Sequence, residues 1–268
     1  MRENRVKHLL EEGQTAIGTM ITEARSPAIA QMLAVAGFDF VFIDMEHGAF
    51  NMETVEDIVR VARLAGITPL VRVPNPEYHL LSRPLDQGAQ GLMLPRVEDR
   101  ATVKKVVDGM KYPPIGSRGC AITRGHSDYR EERQREFCDF QNRETMVIIQ
   151  IERKRAIEQI DELVSVPGVD VALMGMNDLT LSLGASSTTA PEVIAAAEKV
   201  IDACHRHGVV SGIHIANVGQ LQDWMRKGMR MITCSSEIGF LYSAATAAVK
   251  ELRVAAGRPA DVGKMSGY

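Results

Sequence analysis

The chain is short of several things, and each shortage excludes a class of protein. Aromatic residues make up 5% of 268 positions, with a single tryptophan. That leaves little for the stacking platforms by which many proteins bind single-stranded nucleic acid. Excess charge is missing too: 31 Lys and Arg face 34 Asp and Glu, a formal net charge of −3. Nothing in that balance attracts a polyanion or an anionic membrane. The four cysteines, Cys120, Cys138, Cys204 and Cys234, are too few for a disulfide framework, and no pair has metal-ligand spacing. Reduced thiols in a cytoplasm are the expectation. No run approaches the ~20 apolar residues of a spanning helix, and the charged start MRENRVKHLLEEG does not read as a secretory signal. A soluble cytoplasmic protein is therefore expected. No glycine-rich G-x-G-x-x-G turn follows the first β-like run, so the usual dinucleotide fingerprint is absent.

What the chain does contain is rhythm. Short β-branched runs alternate with longer amphipathic stretches. Strands are expected at 15–21, 39–46, 68–73, 91–95, 146–151, 169–174, 209–215 and 231–234. Helices are expected over 26–37, 52–64, 77–87, 99–110, 154–164, 191–207, 218–227 and 240–255, with a short turn at 179–183. Eight βα units in this length favour a closed (β/α)8 barrel over an open doubly wound sheet, since such a barrel needs roughly 250 residues. A single barrel over residues 1–268 is the expected organisation. The rhythm breaks at 111–144, where KYPPIGSRG precedes the charged run DYREERQREF. The run reads as a solvated surface helix and the Pro/Gly part as a shaped loop over a site. The tail GRPADVGKMSGY reads as a mobile end.

Barrel chemistry sits at the C-terminal ends of the strands. There the chain places Asp44, Glu46 and His47, then Arg72, then Gln150 and Glu152, then Gly175, Asn177 and Asp178, with His214, Ser235 and Ser236 on the last two strands. Each has a plain structural reading. Asp178 could cap a helical turn, Glu152 could begin one, Arg72 could be an ion-pair partner and His47 a loop residue. At successive strand ends they favour a site, because burying ionisable groups idly costs free energy.

The set has a chemical logic. Glu152 and Asp178 are hard oxygen donors for a divalent cation, leaving positions for water and a chelating 2-oxo acid. Arg72 could stabilise an enolate oxygen. His47 can move protons near neutrality. The turn opening at Gly175 could hold a carboxylate on its free N–H groups. No lysine stands at a strand end, which argues against Schiff-base catalysis.

The stretches GFDFVFIDMEHGAFN, PLVRVP, LDQGAQGLMLPRVED, KYPPIGSRG, IIQIE and VPGVDVALMGMNDLTLSLG, with the Gly-Phe after SSE, resemble the HpcH/HpaI aldolases. These are metal-dependent class II pyruvate aldolases of the phosphoenolpyruvate/pyruvate barrel type, acting on 4-hydroxy-2-oxoheptanedioate or 2-dehydro-3-deoxyglucarate. The resemblance covers nearly the whole chain. It implies Mg2+, Mn2+ or Co2+ on Glu152 and Asp178, and His47 as general acid/base acting through metal-bound water. It implies Asp44 and Asp86 as acids that orient or assist His47, Arg72 as the enolate-stabilising cation and Gln150 beside the metal. The amides of Asn177 and Asp178 would hold the pyruvate carboxylate. It also implies a homo-oligomer, a hexamer built as a trimer of dimers, with the helix at about 240–256 exchanged between subunits. The expected reaction cleaves a 4-hydroxy-2-oxo acid to pyruvate and an aldehyde. The alternatives are a C–C bond-forming synthase or decarboxylase acting on oxaloacetate, and a non-catalytic barrel that binds a small acid. Two departures stand beside the metal positions. Met176-Asn177 replaces the family's Pro-Ala, and Arg153 replaces its Thr. Asn177 and Arg153, as added polar and cationic groups, lead us to expect a substrate unlike that of the simple aldolases.

Overall fold

A computed structural model describes residues 1–263. The last five positions of the tail expected to be mobile lie outside the described residues. Up to Gly263 the tail folds back on the final helix. Arg253 donates to the Asp261 carbonyl at 2.6 Å, and the Tyr242 hydroxyl to that of Gly263.

Eight parallel strands close into a barrel in chain order. They are β1 (Ala16–Ile21), β2 (Phe40–Asp44), β3 (Thr68–Arg72), β4 (Gly91–Leu94), β5 (Met146–Ile151), β6 (Val171–Gly175), β7 (Val210–Ile215) and β8 (Met231–Ser236). The helices are α1 (Arg5–Glu11), α2 (Ala28–Val35), α3 (Met52–Ala65), α4 (Tyr78–Gln87), α5 (Arg100–Met110) and α6 (Gln134–Glu144). They continue with α7 (Lys154–Glu158), α8 (Ile160–Val164), α9 (Met176–Leu183), α10 (Pro191–His207), α11 (Val218–Arg226) and α12 (Glu237–Ala255). All eight strands fall where the alternation places them, with ends shifted by one or two residues. The helices differ more. The stretch 154–164 is two short helices that meet at Gln159. The expected turn at 179–183 is a full helix beginning at Met176. Of the charged run, only the part from Gln134 onward is helical. α1 went unforeseen: its polar sequence hides two fully inserted side chains, Val6 and Leu10.

Those two side chains close the N-terminal end of the barrel. α1 is tied down by Asn4, whose amide donates to the carbonyls of Gln90 and Glu144, both at 2.9 Å, while its oxygen caps Lys7 at 3.1 Å. Above it the interior is filled by alternate residues of each strand, since successive side chains point to opposite faces. Phe40, Phe42, Leu70, Met93, Met146, Ile148, Val171, Leu173 and Met231 form this inner core. Large side chains are accommodated by glycines on neighbouring strands. A Cβ on Gly18 would overlap the Phe40 ring, one on Gly91 would lie 2.7 Å from Met146 Cβ, and one on Gly212 2.6 Å from the Met231 carbonyl oxygen. The outward residues pack the helices in a larger shell that includes Ile43, Val71, Ile149, Ile151 and Met174. No helix among the described residues is long and apolar enough to cross a membrane.

Phe40 is fully buried and cannot swing aside. Gly18→Ala is therefore expected to lower stability by roughly 1–3 kcal/mol, the usual cost of overpacking. The measurement is urea denaturation, where the midpoint should fall at unchanged slope. An unshifted midpoint would show that the barrel layer is looser than described.

Candidate active site

The same alternation that fills the barrel builds its mouth. Continuing each inward row one step past the apolar core gives Thr22, Asp44, Arg72, Gln150, Gly175, His214 and Ser235. All of them line one cavity of about 710 Å³ together with His47, Met176, Asn177 and Asp178. The register makes neighbours of the critical ones: Asp44 pairs with Arg72 across β2 and β3, and Gly175 with His214 across β6 and β7.

Arg72 and Asp44 form a bidentate pair, with Nε–Oδ1 at 2.7 Å and Nη2–Oδ2 at 2.6 Å. Both are buried. Burial pushes the Asp44 carboxyl up, but the Arg72 guanidinium outweighs it and holds Asp44 below the ordinary carboxylate value. Burial likewise works against charge on Arg72, and Asp44, Glu46 and Glu152 more than offset it. Asp44 Oδ1 also accepts from the backbone N–H groups of Glu46 at 3.0 Å and His47 at 3.5 Å. It shapes the turn that carries His47. The His47 ring itself is 64% exposed, with Nε2 3.9 Å from Glu46 Oε2. It is free to meet a ligand.

The network extends beyond the expected residues. Glu46 lies 3.3 Å from Arg72 Nη1 and 3.3 Å from Arg96 Nε. Arg96 sits in the left-handed region at φ +53°, which is unfavourable for a residue with a side chain. That conformation accompanies the 2.6 Å bond from its N–H to Glu152 Oε1 and the 2.7 Å bond from its guanidinium to the Pro74 carbonyl. Sequence reasoning missed Arg96 because it lies in the loop after β4, where no strand periodicity applies. The only signal was its place one residue beyond Pro95.

Glu152 is the group most at odds with its surroundings. Burial pushes its carboxyl up, the Arg96 N–H pulls it back, and the charges of Glu46 and Asp178 push it up again. Gln150 donates Nε2 to Glu152 Oε2, while its own buried Oε1 has no partner. Both side chains pack closely on Gly175: a Cβ there would lie 2.5 Å from Glu152 Oε2 and 2.8 Å from Gln150 Nε2, so no side chain fits at that position. α9 starts at this point, with Gly175 as its N-cap and Asp178 in its first turn. The first-turn N–H groups of a helix have no intrahelical acceptors.

On β7, beside Gly175, His214 is held at about 4, first by burial and then by the charge of Arg72, so its imidazole is neutral at pH 7. Its Nδ1 has no partner, nor does the neighbouring Thr233 hydroxyl. The loop after β1, which includes Thr22, is fixed from α12. Glu237 accepts from the N–H groups of Thr22 at 2.8 Å, Glu23 at 2.6 Å and Ala24 at 2.9 Å.

Four expected residues do not line the cavity: Glu46, Glu152, Asp86 and Arg153. Asp86 is paired with Arg118 at 2.6 Å and faces His126 at 3.8 Å. It stands one residue from the end of α4, and barrel helices run back toward the N-terminal end of the sheet. Within one chain Asp86 cannot reach His47. Arg153 does not line the cavity, so the anion contact expected of it is not formed there. Among the described residues no lysine lines the cavity. Buried Lys111, lowered to about 8 by desolvation, donates instead to the carbonyls of Asn142 and Thr145.

A model of the HpcH/HpaI aldolase/citrate lyase family matches residues 19–244. The chain belongs to this family. It is 32% identical to a 4-hydroxy-4-methyl-2-oxoglutarate aldolase of Hapsidospora irregularis, over 89% of this chain and 91% of that one. An HpcH/HpaI aldolase from Desulfitobacterium hafniense superposes with a TM-score of 0.90 at 33% identity, covering 92% of this chain and 96% of that one. The citrate synthase SbnG superposes with a TM-score of 0.86 at 27% identity, covering 94% of this chain and 99% of that one. Membership agrees with the mouth just described, and with the closed eight-stranded barrel beneath it.

The folded state holds Asp44 below its ordinary value of 3.8. Its contribution to stability is complete above that value and is lost as pH falls through the lower folded value. Asp44→Asn is expected to cost about 3 kcal/mol at pH 7, the lower end for a broken buried pair because Glu46 still faces Arg72. Denaturant melts of the two proteins should converge only below the usual carboxylate range. Equal stability at pH 7 would mean that the pair contributes nothing.

Proposed function

We propose that this protein is a divalent-metal-dependent aldolase that cleaves a 4-hydroxy-2-oxo acid to pyruvate and an aldehyde. One observation carries the reading. Four carboxylates at the mouth (Asp44, Glu46, Glu152, Asp178) face two guanidiniums (Arg72, Arg96), which leaves an excess of two negative charges on the Glu152 side. A dication answers that imbalance. The orphan Gln150 oxygen, a buried acceptor without a partner among the described residues, fits it as well. Glu152 and Asp178 would hold it. Among the described residues no group of three His, Cys, Asp or Glu side chains converges to hold a metal, so the remaining positions fall to substrate and water. Mg2+, Mn2+ and Co2+ suit such oxygen donors. When bound, the cation supplies Lewis-acid polarisation of the substrate's keto group.

The chain's own residues do the rest. First-turn N–H groups of α9, those of Asn177 and Asp178, hold the substrate carboxylate. Arg72, fixed by Asp44, faces the oxygen on which negative charge develops as the C3–C4 bond breaks. His47 takes the proton of the 4-hydroxyl, and the same proton is then available to C3 to complete pyruvate. The likeness to a citrate synthase supports a second reading, C–C bond formation or decarboxylation starting from oxaloacetate.

Pyruvate release, coupled to lactate dehydrogenase, tests the proposal on a panel of 4-hydroxy-2-oxo acids and on oxaloacetate. Turnover of a hydroxy-oxo acid, lost with EDTA and restored by Mg2+, Mn2+ or Co2+, is the expected result. Full activity after chelation, or turnover of oxaloacetate alone, overturns it. In the same assay His47→Ala is expected to lose roughly 10²–10⁴-fold in kcat, and an unaffected rate would show the base to be another group.

A homo-oligomer, with a hexamer as its closed form, belongs to the same proposal. α12 leaves Leu241, Leu252 and Val254 largely exposed, and α2 leaves Met32 and Val35 exposed. Apolar side chains of that size on two helices fit a second copy, with or without exchange of α12. Sedimentation equilibrium is expected to exceed the 29.4 kDa chain mass; a monomer at micromolar concentration would remove this part.

A further inference from the structure

No residue of the segment 111–144 lines the mouth, and the segment carries two of the four cysteines. It folds on a small core of its own, Tyr112, Phe137 and Cys138 with Ile122 against them. Cys120 is exposed on the loop, and Cys138 is buried on α6. Their sulfurs are 3.6 Å apart, in van der Waals contact. A disulfide needs about 2.05 Å. The approach required is small, and it falls on a non-helical loop whose residues Gly119, Thr123 and Arg124 are exposed. The other two cysteines stand elsewhere, Cys204 buried in the main core and Cys234 packed against it.

We propose that Cys120 and Cys138 are a dithiol modification site that reacts with hydrogen peroxide or a small alkyl hydroperoxide and closes to an intrachain disulfide. The Cys120 thiolate attacks one peroxide oxygen. An S–O bond forms and the O–O bond breaks. Hydroxide leaves and takes up a proton, and a sulfenic acid remains on Cys120. The Cys138 sulfur then attacks that sulfenic sulfur. The S–S bond forms, the S–O bond breaks, and water leaves with the Cys138 proton. Two thiols give up two electrons in all, and the peroxide oxygens are reduced to the water or alcohol level. The division of labour follows from exposure. Burial pushes the Cys138 thiol up to about 11, so it waits as the resolving partner, while Cys120 meets the oxidant. The fully buried Arg118, two residues before Cys120, places a cation beside the pair, with Nε and Nη1 unpartnered. The closed bridge would tie the loop carrying Arg118 to α6, and through Arg118 to Asp86 on α4.

The test uses the full chain, reduced and then freed of reductant. It is treated with a small excess of hydrogen peroxide, blocked with iodoacetamide and digested without reduction. A peptide joining Cys120 to Cys138, two hydrogens lighter than the sum of its parts and removed by dithiothreitol, is the expected result. Cys120→Ser should leave Cys138 as an unoxidised thiol. Cys138→Ser should instead accumulate a sulfenic acid on Cys120 that dimedone traps. Three results overturn the proposal: a wild-type chain that stays a dithiol, oxidation of Cys120 to sulfinic acid with no cross-link, or cross-links formed through Cys204, Cys234 or a second chain.

Discussion

The bidentate contact between Asp44 and Arg72 is the constraint from which the rest of the mouth follows. A guanidinium at the top of an apolar barrel is tolerable only if it is paired, since an isolated buried charge is costly. Asp44 is its register partner on β2, so sheet geometry itself delivers the counter-charge. Once the pair is made, each member has capacity left over. Asp44 Oδ1 also ties down the turn leading to His47. Arg72 keeps Nη1 for Glu46. Glu46 in turn faces Arg96, whose N–H holds Glu152. A single pair thus sets the position of the His47 turn on one side and of Glu152 on the other.

The network also explains why the Glu152 carboxyl is pushed above its ordinary value. Its partners donate hydrogen bonds from neutral groups, the Arg96 amide and the Gln150 side chain. Neither brings a full positive charge into contact. The guanidinium charges are spent on Asp44 and Glu46. Burial, Glu46 and Asp178 all push the Glu152 carboxyl up, and on the proposed metal-dependent reading a bound cation would relieve them. A methyl group on Gly175 would collide with the Glu152 and Gln150 side chains, which is the physical reason for glycine as the last residue of β6.

Much of this was legible before any coordinates, because the strands announce themselves and strand parity does the rest. Once Phe40 and Phe42 are read as inward, Asp44 must be inward too. The same step takes Leu70 to Arg72, Ile148 to Gln150, and Leu173 to Gly175. What stayed hidden obeys no such period. Arg96 reaches Glu152 through a left-handed loop conformation that its residue type does not announce. α1 is only seven residues long and mostly polar, so Val6 and Leu10 look incidental until the open barrel end demands a plug. Asp86 was placed by resemblance of a motif, which carries a residue's neighbours in sequence but not the end of the barrel at which its helix stops.

The neutral state of His214 decides how the cavity divides its work. Protonation would put a second buried cation beside Arg72, and desolvation opposes it further, so the imidazole stays uncharged down to about pH 4. A charged His214 would draw a substrate carboxylate toward β7, away from the N–H groups of α9. It would also compete with Arg72 for the developing oxyanion. On the proposed aldol cleavage, a neutral His214 would leave each negative end of a 2-oxo acid one preferred place: the carboxylate at the start of α9 and the enolate oxygen at Arg72. The remaining wall, Thr22, His214 and Ser235, is polar without being charged. It can donate or accept hydrogen bonds but cannot reorient an anion. Discrimination at that wall then rests on hydrogen-bond matching, where an unpaired buried group costs about 1–3 kcal/mol. The orphan Nδ1 of His214 is the atom at which such matching would register.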